Sequence, residues 1–125
     1  MKDILEYTSY RQYIADYYAD KKAKSAFTWQ EFTRAAGFSS PVHLKYASEG
    51  KLNLSDAAAL RVAQAMHLAG YEQDYFCEMV RFDNAKTDAE KKDAFGKMLS
   101  IADSVKAKII EGDSFRYFES WKFRF

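Results

Sequence analysis

The chain has 125 residues, enough for one domain with a buried core that needs neither disulfides nor a metal. Its single cysteine, Cys77, and its two histidines exclude an internal disulfide and argue against a metal-ligand cluster, so we expect a reducing, cytoplasmic setting. No apolar run reaches the roughly 18 residues that a membrane-spanning helix needs, so we expect no membrane partner.

The net charge is only +1, but the positive charge is concentrated in one part of the chain. Residues 21–61 carry seven basic and three acidic side chains, whereas residues 62–125 carry ten basic and eleven acidic ones. A local excess of cations favours contact with phosphate groups. The candidates for phosphate contacts are Lys21, Lys22, Lys24, Arg34, Lys45, Lys51 and Arg61.

The first predicted helix covers residues 10–22. Ser9 and Gln12 have the spacing of a capping box at its start. Tyr10, Tyr13, Ile14 and Tyr17 follow at helical spacing and predict its buried face. The lysines at its end have two interpretations, because they suit the negative end of the helix dipole as well as a phosphate partner.

Residues 27–54 predict two short helices joined by a tight turn. Thr28 with Glu31 is a capping box for a helix of residues 29–36, Phe27 packs on Phe32, and Gly37 ends the helix in the left-handed conformation. Ser40 as N-cap and Pro41 as first helical residue predict a second helix that runs to Gly50. Helices this short must dock on a larger core, which is typical of a helix-turn-helix.

The outward residues near the start of the second helix are those that a recognition helix presents to base edges. They are Ser39, Ser40, Val42, His43, Lys45 and Tyr46, while Leu44 and Ala47 are expected to face inward. Arg34, Lys22, Lys24 and Lys51 are the predicted phosphate contacts. We therefore expect double-stranded DNA as the partner, and the alternative is a helical protein interaction module that does not bind DNA.

Two further helices are predicted before residue 87. Ser55 caps a helix whose core face includes Leu60, Ala63 and either Val62 or Met66, and which Gly70 ends. A helix of residues 71–86 follows, with the apolar set Tyr75, Phe76, Met79, Val80 and Phe82. His67 is expected at a helix end, where a positive charge interacts well with the dipole.

Thr87 with Glu90 opens the longest predicted helix, which runs to about residue 110. Its apolar residues are spaced alternately by three and four, which is typical of a coiled-coil seam. They are Phe95, Met98, Ala102, Val105 and Ile109. A homodimer seam, completed by Trp121, and docking on the chain's own domain both remain open. The segment after Asp113 is rich in aromatic residues and predicts burial on the domain, on another subunit or on a further C-terminal region.

No enzyme is predicted, because the sequence has neither a glycine-rich phosphate loop nor a set of nucleophile and base. No cofactor, metal or small-molecule substrate is expected. The predicted fold is all-α, with five helices in a helix-turn-helix domain of residues 1–86, followed by a long helix and an aromatic tail in residues 87–125.

The segments YRQYIADYY, FTRAAGFSSPVHLK, EGKLNLS and YFCEMVRFDNAKT resemble a paralogous family of predicted bacterial transcription regulators, first described from Fibrobacter succinogenes. The resemblance implies an N-terminal helix-turn-helix similar to the Cro and phage-repressor class. It places Ser39, Ser40, Val42, His43 and Lys45 at the DNA, with Trp29 and Gln30 beginning the preceding helix. Family members are typically longer, so the chain resembles their N-terminal half or a shortened paralog.

Overall fold

The computed structural model describes the backbone of residues 1–121 and the side chains of residues 1–108. A short 3₁₀ helix, Ile4–Glu6, precedes six α-helices: α1 Tyr10–Lys24, α2 Trp29–Ala35, α3 His43–Ser48, α4 Asp56–Ala65, α5 Tyr71–Asn84 and α6 Asp88–Trp121. Residues 1–121 contain no strand. The predicted all-α class, five helices and then a long one, is confirmed.

Four helices begin at the predicted residue, where a Ser or Thr hydroxyl accepts a hydrogen bond from a backbone N–H three positions later. The caps are Ser9 to Gln12 N at 3.4 Å, Thr28 to Glu31 N at 3.1 Å, Ser55 to Ala58 N at 3.1 Å and Thr87 to Glu90 N at 3.1 Å. These bonds satisfy N–H groups that have no partner inside the helix.

The predicted start of α3 at Pro41 is wrong, because the helix begins at His43 and Ser40 does not cap it. The N–H of His43 donates to the carbonyl oxygen of Ser40 at 3.3 Å, and Val42 has φ −108° and ψ 5°. This is the geometry of a type I turn, which favours Ser at its first position and Pro at its second. The same residues that signal a helix start thus form the turn before it.

The predicted end of α4 at Gly70 is also wrong. The helix ends at Ala65, and His67 takes the left-handed conformation at φ 61° while the N–H of Leu68 donates to the carbonyl of Ala63 at 3.0 Å. This is the arrangement that glycine usually provides at a helix end. Gly70 instead lies at the N-cap of α5.

The core is formed by all six helices and the 3₁₀ helix. Its largest fully buried side chains include Tyr10, Ile14, Phe32, Leu44, Leu54, Phe76 and Met98. Leu60, predicted to face the core, is 42% exposed, because α4 packs through the small face made by Ala58, Ala59, Val62 and Ala63. Within the described residues, no helix has the length and apolar character to cross a bilayer.

The long helix α6 packs antiparallel along α5 and extends beyond the predicted end at residue 110 to Trp121. Of the predicted seam, Met98 and Ala102 are buried within the chain and Val105 is half-buried, whereas Phe95 is 40% exposed. The side chains of Ile109, Trp121 and the aromatic tail lie outside the described residues. The described part of the seam is therefore mostly docked on its own domain, as one of the two interpretations predicted.

Candidate nucleic-acid interface

Aromatic side chains fix α2 against the end of α1. The rings of Tyr18 and Trp29 stack with centroids 3.9 Å apart, and the rings of Phe27 and Phe32 lie 5.6 Å apart. The contact between Phe27 and Phe32 is the one predicted from the sequence. It fixes the angle at which the chain enters α2.

The turn between α2 and α3 starts with the predicted glycine. Gly37 has φ 85°, its N–H donates to the carbonyl of Arg34 at 3.0 Å, and the N–H of Phe38 donates to the carbonyl of Thr33 at 3.2 Å. This hydrogen-bond pair is a Schellman motif, and it orients the chain toward α3.

Arg11 of α1 holds the far end of α3 in place. Its Nη1 donates to the carbonyl oxygens of Ala47 at 2.6 Å and Leu52 at 2.8 Å. Its Nη2 donates to Oδ1 of Asn53 at 2.7 Å and pairs with Asp83 of α5 at 3.2 Å. The bonds to Ala47 and Leu52 are partly buried, whereas those to Asn53 and Asp83 are exposed. No local sequence pattern predicts this cluster of bonds, because the partners lie 36 to 72 positions away.

The two faces of α3 differ as the sequence predicts. Leu44 and Ala47 are fully buried, while Lys45 and Tyr46 are exposed. The ammonium of Lys45 forms no ion pair or hydrogen bond with a described residue. On α2, Gln30 and Arg34 are exposed one turn apart on a common face, and Arg34 has no ionic partner among the described side chains. The arrangement therefore leaves two cations on adjacent helices free for a ligand.

The residues around the turn are not all exposed to solvent, although the sequence predicts that they are. Ser39 and Ser40 are exposed, whereas Val42 and His43 are half-buried. The imidazole of His43 stacks on the ring of Phe38 at 4.0 Å, with the planes 10° apart. Burial and the nearby charge of Arg61 lower the pKa of His43, which keeps the ring neutral at pH 7. His43 thus packs on the turn and is only partly exposed.

Of the other predicted cations, Lys22, Lys24 and Lys51 are exposed but have partners, whereas Lys21 is half-buried. Lys51 pairs with Glu49 at 3.2 Å and its Nζ lies 5.1 Å from the centroid of the Tyr46 ring. Lys24 pairs with Asp20 at 3.1 Å, and Lys22 donates to the hydroxyl of Tyr18 at 3.2 Å. Because Tyr18 stacks on Trp29, Lys22 lies beside the start of α2. Exposed pairs of this kind are weak and exchange readily with another anion.

No group of three or more His, Cys, Asp or Glu among the described side chains is placed to hold a metal ion. Burial and neighbouring carboxylates raise the pKa of the half-buried Cys77 thiol, so it is protonated at pH 7 and a poor nucleophile.

Comparison with protein-family models, with curated proteins and with solved structures found no match to this chain.

Proposed function

We propose that the chain is a sequence-specific, double-stranded DNA-binding transcription regulator of the helix-turn-helix type, with α3 as its recognition helix. The observation that carries the proposal is the division of α3 into a buried face, Leu44 and Ala47, and an exposed face, Lys45 and Tyr46. A helix held in this way can enter a major groove without losing its contacts with the core.

Lys45 is the residue we assign to base recognition. Its free ammonium can donate to O6 and N7 of a guanine, which are the acceptors that lysine and arginine bind in the major groove. Tyr46 adjoins it on the exposed face, and its hydroxyl can donate to a phosphate or a base. Ser39 and Ser40 precede the helix and offer hydroxyls to the backbone on the same side of the turn.

The phosphate contacts are assigned to Arg34 on α2, with Lys22, Lys24 and Lys51 as further cations. Arg34 has no ionic partner among the described residues, so binding a phosphate does not break an existing pair. The pairs of Lys24 and Lys51 are largely exposed to solvent, so a phosphate can replace the carboxylate at little cost. Gln30 shares the exposed face of α2 with Arg34 and can donate to the backbone.

The second candidate is a helical protein interaction module. Two observations favour it: the exposed apolar side chains Phe95 and Leu99 on α6, and the carboxylates Glu31 and Glu49 close to the proposed DNA-binding cations. In this alternative the cations are simply hydrated by solvent at the surface, and the chain binds neither random nor selected DNA.

The test is an unbiased selection of duplexes from a random pool on the full chain, followed by binding of variants to selected and random DNA. We expect Lys45→Ala to weaken binding to the selected site about tenfold or more, with a smaller effect on random DNA. Lys51→Ala is expected to weaken both alike, since a phosphate contact carries no sequence information. Lys86→Ala, at an exposed lysine before α6, is the matched control and leaves both affinities unchanged.

Failure to enrich any sequence would contradict specific recognition. If Lys45→Ala and Lys86→Ala reduce the affinity for DNA equally, α3 is not part of the DNA interface. Circular dichroism of each variant confirms that the helices are retained.

A further inference from the structure

The long helix α6 has a second apolar face that the fold does not bury. Ala94 and Met98 are buried where α6 packs on α5, whereas Phe95 is 40% and Leu99 50% exposed. Because successive residues are rotated by about 100° in an α-helix, Phe95 and Leu99 lie together, one turn apart, beside the face that contacts α5. The half-buried ring of Phe82 on α5 lies 5.8 Å from that of Phe95 and widens the apolar area.

Charged residues continue this face in both directions at helical spacing. We call the set the α6 stripe, and it consists of Asp88, Lys92, Phe95, Leu99, Asp103 and Lys106. All six side chains are exposed. None of the four charged ones forms an ion pair with a described side chain, whereas their neighbour Asp93 pairs with both Arg81 and Lys97.

The order of charges in the stripe is complementary to its own reverse, so that each charge in an antiparallel pair of helices faces one of opposite sign. Suppose that two copies of α6 run antiparallel with Phe95 of one against Leu99 of the other. Asp88 of one copy then comes opposite Lys106 of the other, because residues 95 and 99 and residues 88 and 106 are centred on the same residue of the helix. Lys92 then comes opposite Asp103 within one residue, about 1.5 Å along the helix. In a parallel pair in register, each charge would meet its own copy, and like charges at close range are repulsive. The pattern therefore selects an antiparallel partner with this sequence.

We propose that the α6 stripe is the interface through which a second copy of this chain docks, with the two α6 helices antiparallel. The contact is isologous, so each pair forms twice and the apolar centre is closed by charged pairs at both ends. This proposal replaces the seam predicted from the sequence, since Met98 and Ala102 belong to the chain's own core. It does not depend on DNA binding.

The first test is the mass of the full chain by sedimentation equilibrium over a range of concentrations. We expect a monomer and dimer in equilibrium, and we expect Leu99→Lys to abolish the dimer by placing two charges in its centre. Ser100→Lys introduces the same side chain at the neighbouring exposed residue, which lies outside the stripe, and we expect it to leave the dimer intact. A wild-type chain that stays monomeric at every concentration, or a dimer that survives Leu99→Lys, overturns the proposal.

The second test fixes the direction of the helices by exchanging charges. Lys106→Asp places a carboxylate opposite Asp88 twice per dimer, and we expect the dissociation constant to rise about tenfold. Adding Asp88→Lys to the same chain restores the pair with reversed charges and recovers the affinity. Asp88→Lys also removes a favourable charge from the start of α6, but this loss persists in the double variant, so recovery reports on pairing across the interface. A double variant that dimerises no better than Lys106→Asp overturns the antiparallel arrangement.

Discussion

The guanidinium of Arg11 in α1 donates to the carbonyl oxygen of Ala47 in α3 across 2.6 Å. The Ala47 carbonyl also accepts a hydrogen bond from the N–H of Gly50 at 3.2 Å, so Arg11 adds a second, charged donor. The cation lies at the end of α3 where the helix dipole is negative. A side chain of a different helix therefore helps the buried residues Leu44 and Ala47 to hold the proposed recognition helix in place.

Replacing Arg11 with Met is expected to reduce the free energy of unfolding by about 1 to 3 kcal/mol, because the partly buried carbonyls of Ala47 and Leu52 lose a charged donor. Urea unfolding measures the change. Arg34→Met is the matched control, since Arg34 is exposed and has no ionic partner among the described residues, and it should cost about 0.5 kcal/mol or less. Similar losses for both variants would show that the Arg11 bonds contribute nothing.

Gly37 and Gly96 are expected to respond oppositely to substitution. Gly37 has φ 85°, which a β-branched residue adopts only with strain, so Gly37→Val should destabilise the chain by more than about 1 kcal/mol. Gly96 lies inside α6, and nothing lies within 4 Å of a Cβ placed there. Gly96→Ala should stabilise by about 0.5 to 1 kcal/mol, because alanine has the higher helix propensity. If both substitutions shift the melting temperature in the same direction, this account of the turn is contradicted.

Thr33 of α2 is fully buried, and its hydroxyl has no hydrogen-bond partner among the described residues. A buried polar group without a partner costs free energy, and valine has nearly the same shape without the hydroxyl. We expect Thr33→Val to raise the free energy of unfolding by about 1 kcal/mol. A loss of stability would show that the hydroxyl has a partner, such as an ordered water.

Stability is expected to fall in alkaline solution because buried tyrosines resist ionisation. Burial, with smaller effects from nearby acidic groups, raises the pKa of Tyr13 from 10.0 to about 12. The unfolded chain therefore loses this proton first, so the stabilisation is complete below about pH 10 and is lost as the pH rises to about 12. Urea unfolding across this range should show a shallower decline for Tyr13→Phe than for the wild type. Parallel declines would contradict the assignment to Tyr13.

The sequence predicted those features that depend on neighbouring residues. The caps at Ser9, Thr28, Ser55 and Thr87 and the turn at Gly37 were located correctly, because each is a hydrogen bond between residues three to five positions apart. The start of α3 was misplaced because Ser followed by Pro favours a type I turn as well as a helix start.

Features that depend on distant parts of the chain could not be predicted. Arg11 has no local signal, since its partners come from α3, α5 and the connection after α3. The helix pattern predicts Leu60 on the core face, but α4 docks through alanines that allow close approach. At the candidate site, Lys45 and Arg34 are exposed as expected, while the stacking of His43 on Phe38 could be found only from the folded chain.

Binding of the full chain to a labelled random duplex, followed by fluorescence anisotropy in a salt series, tests the central claim most directly. With about four phosphate contacts from Arg34 and the lysines around it, we predict that log Kd against log salt has a slope of about 3.6 in magnitude, with affinity falling as salt rises. Absence of binding at about 50 mM salt, or an affinity that does not change with salt, would contradict the assignment of this surface to DNA.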